Sequence, residues 1–117
     1  MRTYTPARTT RLPPQAMHLT GEGVRVDGPK GPVLIRLSGK DLAAEYRGSE
    51  LRNGSALAYA REIRALAIAE ARRFPLPWTT DAQGRQRITD PKAFYAQTFD
   101  PSLRGLEALR GRLEREP

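Results

Sequence analysis

Cysteine is absent from these 117 residues, and histidine and tryptophan occur once each, as His18 and Trp78. Without cysteine there can be no disulfide, no thiolate zinc site and no thiol nucleophile. A single histidine cannot make a two-histidine metal site. A Ser–His–Asp triad would have to recruit it from a proline-rich stretch. Glycines are plentiful but fall in no phosphate-binding pattern. Neither G-x-x-x-x-G-K-[ST] nor G-x-G-x-x-G is present, and Gly21-Glu22-Gly23 reads as a turn. Asp41 and Glu45 are one turn apart if that segment is helical, but exposed carboxylate pairs are usually just solvated. The acids at 81, 90 and 100 suit turns and caps. These absences predict a protein that is not an enzyme and needs no metal or cofactor. No apolar run approaches the roughly 20 residues that cross a bilayer, and residues 1–20 lack the apolar core of a secretory signal. A cytoplasmic location and no membrane partner are therefore expected.

Lysine is scarce too: three against seventeen arginines, within a net charge of +7. An arginine-rich balance favours a polyanionic partner, because the guanidinium fork matches phosphate and carboxylate. A GC-rich genome would raise arginine, alanine, glycine and proline together whatever the function, and composition alone does not separate the two. Ten prolines, ten glycines and a hydrophobic fraction of 38% predict much loop and a modest core of roughly 70–90 residues. A homodimer or a larger partner would add stability to such a core.

Residues 1–20 carry Arg2, Arg8 and Arg11 and no acid, with Pro6, Pro13 and Pro14 barring a helix. They are expected to be an extended or disordered basic arm, either a loose terminus or one that orders on a nucleic acid or a neighbouring subunit. Residues 21–117 would form a single small α+β domain. Within it, Val24–Val26 alternates, 27–31 is turn chemistry, and Val33–Leu37 is aliphatic, which predicts a β-hairpin. Arg25, Lys30 and Arg36 would be its cations. Residues 39–52 suggest a short helix starting near Lys40, with Leu42, Tyr46 and Leu51 towards the core.

The strongest helical signal runs from Ser55 to Phe74. Asn53-Gly54-Ser55 offers a turn and a cap, and Pro75 ends the run by pushing Phe74 out of helical geometry. Tyr59, Ala60, Ile63, Leu66, Ala67, Ala71 and Phe74 fall on one broad face. Arg61, Ala65, Ala69 and Arg72 fall on the other. That second face is either plainly solvated or a contact surface, where small alanines let a phosphate backbone approach Arg61, Arg64 and Arg72.

Pro75–Thr89 is a connector with a turn at 81–84 and a short exposed strand around Arg85–Ile88. Trp78 is expected to pack over the end of the main helix, its alternatives being an anchor for a partner or a stacking platform for a base. Asp90-Pro91 and Asp100-Pro101 each place a capping carboxylate before a proline suited to the first helical position. They predict helices over about 91–98, with Phe94 and Tyr95 as apolar contacts, and about 101–115. In the second, Leu103, Leu106, Leu109 and Leu113 form a stripe, and Gly105 and Gly111 weaken it, so it needs a surface to lie on. The stripe serves either the domain's own core or another chain.

The order strand, helix, capped turn, helix in VLIRLSGKDLAAEYR…NGSALAYAREIRALAIAEA resembles a ribbon-helix-helix DNA-binding domain. The resemblance covers about a third of the chain. It implies a dimer whose strand lies in the major groove, with Arg36 and Ser38 towards bases and Ser55 holding a phosphate.

A small hairpin with three or four helices behind a basic arm thus leaves two main functional classes and this DNA-binding regulator as a third. One is a nucleic-acid-binding protein, DNA or RNA, that contacts mainly phosphates through Arg2, Arg8, Arg11, Arg25, Lys30, Arg36, Arg61, Arg64 and Arg72. The other is an accessory factor (an inhibitor, adaptor or assembly subunit) that docks on a nucleic-acid-processing complex through Trp78 and the stripe Leu103, Leu106, Leu109 and Leu113. One continuous positive face would favour the first, and scattered charge beside an exposed apolar patch the second.

Overall fold

In the computed structural model, which describes residues 11–99 and 101–115, the chain forms a small α+β domain. Its elements are β1 (Met17–Leu19), β2 (Val24–Gly28), β3 (Gly31–Ile35), β4 (Ala44–Tyr46), α1 (Asn53–Arg73), β5 (Trp78–Thr80), β6 (Gln86–Ile88), α2 (Pro91–Phe99) and α3 (Pro101–Glu114). A 3-10 turn, Pro14–Ala16, leads into β1.

The predicted hairpin is β2–β3, paired antiparallel with Val24 opposite Ile35 and Val26 opposite Val33. It is the centre of a four-stranded antiparallel sheet in the order β1-β2-β3-β4. Side chains alternate across a strand, so Met17, Val24, Val26, Val33 and Ile35 share one face, and all are fully buried. The amphipathic helices α1 and α3 cover that face: Tyr59, Ala60, Ile63, Ala67 and Ala71 from α1, and Leu106 and Leu109 from α3, complete the core. β5 and β6 form a separate two-stranded hairpin.

Tyrosines fasten the tip of β2–β3. The Tyr59 hydroxyl accepts from the Lys30 N–H and donates to the Gly31 carbonyl at 2.7 Å. Tyr46 donates to the Lys30 carbonyl at 2.6 Å and accepts the N–H groups of Glu50 and Leu51. The two rings meet edge to face, 5.5 Å apart. Burial pushes the Tyr59 hydroxyl pKa up, which keeps it a neutral donor.

Several expectations are corrected. Residues 40–48 are not a helix. A loop leads into β4, whose register with β3 places Glu45 opposite Leu34. The sheet offers both neighbours of β3 a partner within this chain, so pairing won over a weak local helical preference. This also removes the ribbon-helix-helix arrangement, because no edge of β3 is left for a dimer and the first helix of that motif is absent. Residues 11–20 belong to the fold rather than to an arm: Leu12 and Met17 are in the core, and β1 is an edge strand of the sheet. The α1 N-cap is Arg52, which makes no capping bond through its side chain, and Ser55 lies inside the first turn. The Asp90 cap is present, its carboxylate accepting the Ala93 N–H at 3.1 Å. The Asp100 cap lies outside the described residues.

Candidate nucleic-acid interface

The arginines differ in what their guanidinium groups hold, and the outer face of the sheet differs in this from the exposed face of α1. On the outer face of the sheet every nominated cation has a carboxylate. Arg25 pairs with Asp27, and Arg36 with Glu45. Arg47, between them, reaches both Glu22 and Glu45. His18 also contacts Asp27, at 3.0 Å. These pairs roof Leu34, which points to the outer face yet is only 4% exposed. Arginine stems cover apolar surface while their charged ends stay wet. A hollow of about 560 Å³ above Leu34 is rimmed by Arg25 and Arg47, but acids already compensate both. Arg36 and Arg47 hold the Glu45 carboxyl below the ordinary carboxylate range.

Arg11 is likewise committed. Its guanidinium forms a two-pronged bond to Glu70, at 3.1 and 2.8 Å, and Arg73 adds a third contact at 2.9 Å. Glu70 is 5% exposed. Hydrogen bonding from Arg11 lowers its pKa, burial opposes this, and Arg73 helps. Sequence reading missed Glu70, which sits on the apolar side of α1. A lone acid among core-facing positions was the signal that could have found it.

The exposed side of α1 is different. Arg61 and Arg72 are exposed, and neither has an acidic partner among the described residues. Eleven residues apart, they share one azimuth and stand about 16 Å apart along the axis. Between them the small side chains of Ala65 and Ala69 floor a cleft of about 370 Å³, completed by Leu42, Arg64, Ile68, Arg72 and Leu113. Its far wall is the β3–β4 loop. Arg64 donates to the carbonyls of Leu42 and Asp41 at 2.8 and 2.9 Å. From α3, Arg112 donates to the carbonyls of Leu37 and Gly39 at 3.1 and 2.6 Å. A carbonyl is neutral, so the Arg64 bonds fix the loop without cancelling the charge that holds it. Lys40 is exposed in the same loop. Asp41, Glu62, Glu70 and Glu114 are the acids nearest in sequence; Glu70 is held by Arg11 and Arg73, and Glu114 by Arg110.

Leu42 has φ +48°, left-handed geometry that costs a bulky residue about 1–2 kcal/mol. Its side chain is 1% exposed. Burying leucine is worth about 1.5–3 kcal/mol, which together with the Arg64 bonds offsets the strain.

Comparison of the chain with protein-family models, curated proteins and solved structures gives no match. The site therefore rests on its own geometry.

The remaining nominated residues are placed as follows. Lys30 is exposed at the β2–β3 turn, away from the α1 cleft; its backbone serves the two tyrosines. Arg2 and Arg8 lie outside the described residues. Leu106 and Leu109 are 1% and 0% exposed, Leu113 packs against the core and Leu103 is half-buried, so the leucine stripe faces this chain's own interior. Trp78 lies against α3, where a Cβ built on Gly111 would stand 3.9 Å from its Cζ2. Tyr95, expected as an apolar contact of α2, is 62% exposed. Among the described residues no cluster of potential metal ligands occurs, and no helix is long and apolar enough to cross a membrane.

Proposed function

We propose that this is a small basic nucleic-acid-binding protein without catalytic activity, which contacts phosphates through the exposed face of α1 and the adjoining β3–β4 loop. The observation that carries the reading is the unequal compensation of charge. The sheet face is a lattice of ion pairs, whereas Arg64 and Arg72 line a cleft whose alanine floor lets a backbone approach, and Arg61 stands one turn before Ala65 on the same helix face. Guanidinium groups held by neutral carbonyls keep their charge and lose conformational freedom beforehand, which favours phosphate binding. The strained Leu42 fits a loop held in place for contact. The accessory-factor reading draws less support, since the leucine stripe is occupied and the exposed apolar residues Leu19, Leu57, Ile88 and Tyr95 lie on separate elements.

Fluorescence anisotropy of labelled DNA and RNA at several salt concentrations tests this. Three to five phosphate contacts would make log K fall with log salt at a slope of about −2 to −5. The double substitution Arg61→Glu with Arg72→Glu should weaken binding at least tenfold. Arg25→Glu should matter far less, because Arg25 is already paired. Absence of binding at low salt, or equal losses for the two faces, would overturn the proposal.

A further inference from the structure

We infer that the preferred ligand is a single strand, with its phosphates on the α1 cleft and one base on Trp78; this rests on the phosphate-binding reading above. The α1 cleft has a neighbour. Leu76, Trp78, Thr80, Arg110 and Glu114 line a second cleft of about 340 Å³. Both clefts are built on the same two segments, the chain leaving α1 at 72–76 and the last turns of α3 at 110–114. Arg72 and Leu113 face one, and Leu76, Arg110 and Glu114 face the other. Arg110 ties the segments together by donating to the Phe74 carbonyl at 3.3 Å, and it also pairs with Glu114, which offsets the acid in the second cleft.

The sequence of surfaces is therefore cationic and small-floored along α1, then aromatic beside α3. A basic track ending on an aromatic side chain is the chemistry that holds single strands, since every base offers a π-face and an unpaired base can turn towards it. In a duplex the bases are stacked inward and cannot reach a half-buried indole. The partly buried Ile68 and Leu113 beside the alanine floor add to this preference, because a duplex backbone offers them nothing apolar.

Trp78 is the chain's only tryptophan, so its emission reports on this site alone. The full-length protein is titrated with oligothymidylate, oligouridylate and a duplex of equal length, following both indole emission and anisotropy of the labelled strand. The expected results are quenching on saturation by either single strand and at least tenfold weaker binding of the duplex. Trp78→Leu should weaken single-strand binding about tenfold with the salt slope unchanged, and Trp78→Phe should retain most of the affinity. Which single strand binds better distinguishes DNA from RNA as the source. Salt-sensitive binding without quenching, or a duplex bound equally well, would overturn the inference and leave the phosphate reading standing. Loss of all binding in the unsubstituted protein would remove both.

Discussion

Two glycines in α3 give the sharpest test of how this domain is packed, because the same substitution should act in opposite directions six residues apart. A Cβ built on Gly105 would lie 2.9 Å from the backbone N of His18 and from the carbonyl C and O of Met17. Those are main-chain atoms of β1, held in register with β2, so they cannot swing aside. The helix must instead back away, and Leu106 and Leu109 would be drawn off the core. Overpacking of this kind costs about 1–3 kcal/mol, against about 1 kcal/mol returned by replacing glycine with alanine inside a helix. Gly105→Ala should therefore destabilise by up to about 2 kcal/mol, within the range typical of single substitutions. At Gly111 the nearest atoms to a built Cβ are Arg115 Nη1 and Trp78 Cζ2, both at 3.9 Å, ordinary van der Waals contact. Gly111→Ala should keep the propensity gain and stabilise by about 1 kcal/mol. Thermal unfolding by circular dichroism would place the two variants on opposite sides of the parent, each shifted by roughly 4–8 °C per kcal/mol. Stabilisation by Gly105→Ala comparable to that by Gly111→Ala would mean that α3 does not lie on β1, and the account of the core would fall with it.

Glu70 makes stability depend on acid pH. Its folded pKa is depressed, so its contribution is fully present above the ordinary carboxylate value of about 4.3 and is lost as pH falls through the lower folded value. Urea unfolding across this range should show Glu70→Gln less stable than the parent at neutral pH, with the gap closing in acid; a gap constant with pH would refute the assignment. Arg112→Met should speed amide hydrogen exchange in residues 37–43 while leaving α1 protected, since it removes the carbonyl clamp and no core contact of α1. Unchanged exchange in that loop would show that the clamp does not order it.

The parts of the fold that were readable from sequence were those set by local chemistry. The Val24–Val26 alternation, the Ser55–Phe74 periodicity and the Asp90-Pro91 cap each act over a few residues and each is found, while the turn expected over 27–31 is narrower, at 29–30, with Asp27, Gly28 and Gly31 drawn into the strands. What was not readable depended on partners distant in the chain. Residues 44–46 became a strand because β3 offered them an edge, although a helical reading was locally reasonable. Met17–Leu19 joined the sheet only because Val24–Val26 lay free on its other side. Gly105 read as a helix weakener because its value is the close approach of a strand almost ninety residues earlier. The candidate site was half legible. Helical spacing put Arg61, Ala65, Ala69 and Arg72 together, but no pattern placed Leu42, Leu113 or Arg112 opposite them.

The arginine excess shows why composition was ambiguous in the first place. One residue type performs three tasks here. Arg25, Arg36 and Arg47 neutralise acids on the sheet face. Arg11 and Arg73 neutralise a buried one on α1. Arg64, Arg110 and Arg112 bond to carbonyls and hold loops and helix ends. Lysine would serve the first task nearly as well, as a point charge. It would serve the third less well, because an ammonium lacks the pre-organised planar fork with which Arg64 and Arg112 each reach two carbonyls. The preference for arginine over lysine thus has a structural reason in this chain that owes nothing to a polyanion. Net charge is then a poor guide to binding, and the informative quantity is which cations remain uncompensated after the fold has used the rest. By that measure the sheet face, with most of the nominated hairpin cations, drops out. The exposed face of α1, which looked equally suited to plain solvation, becomes the surface on which the proposal stands.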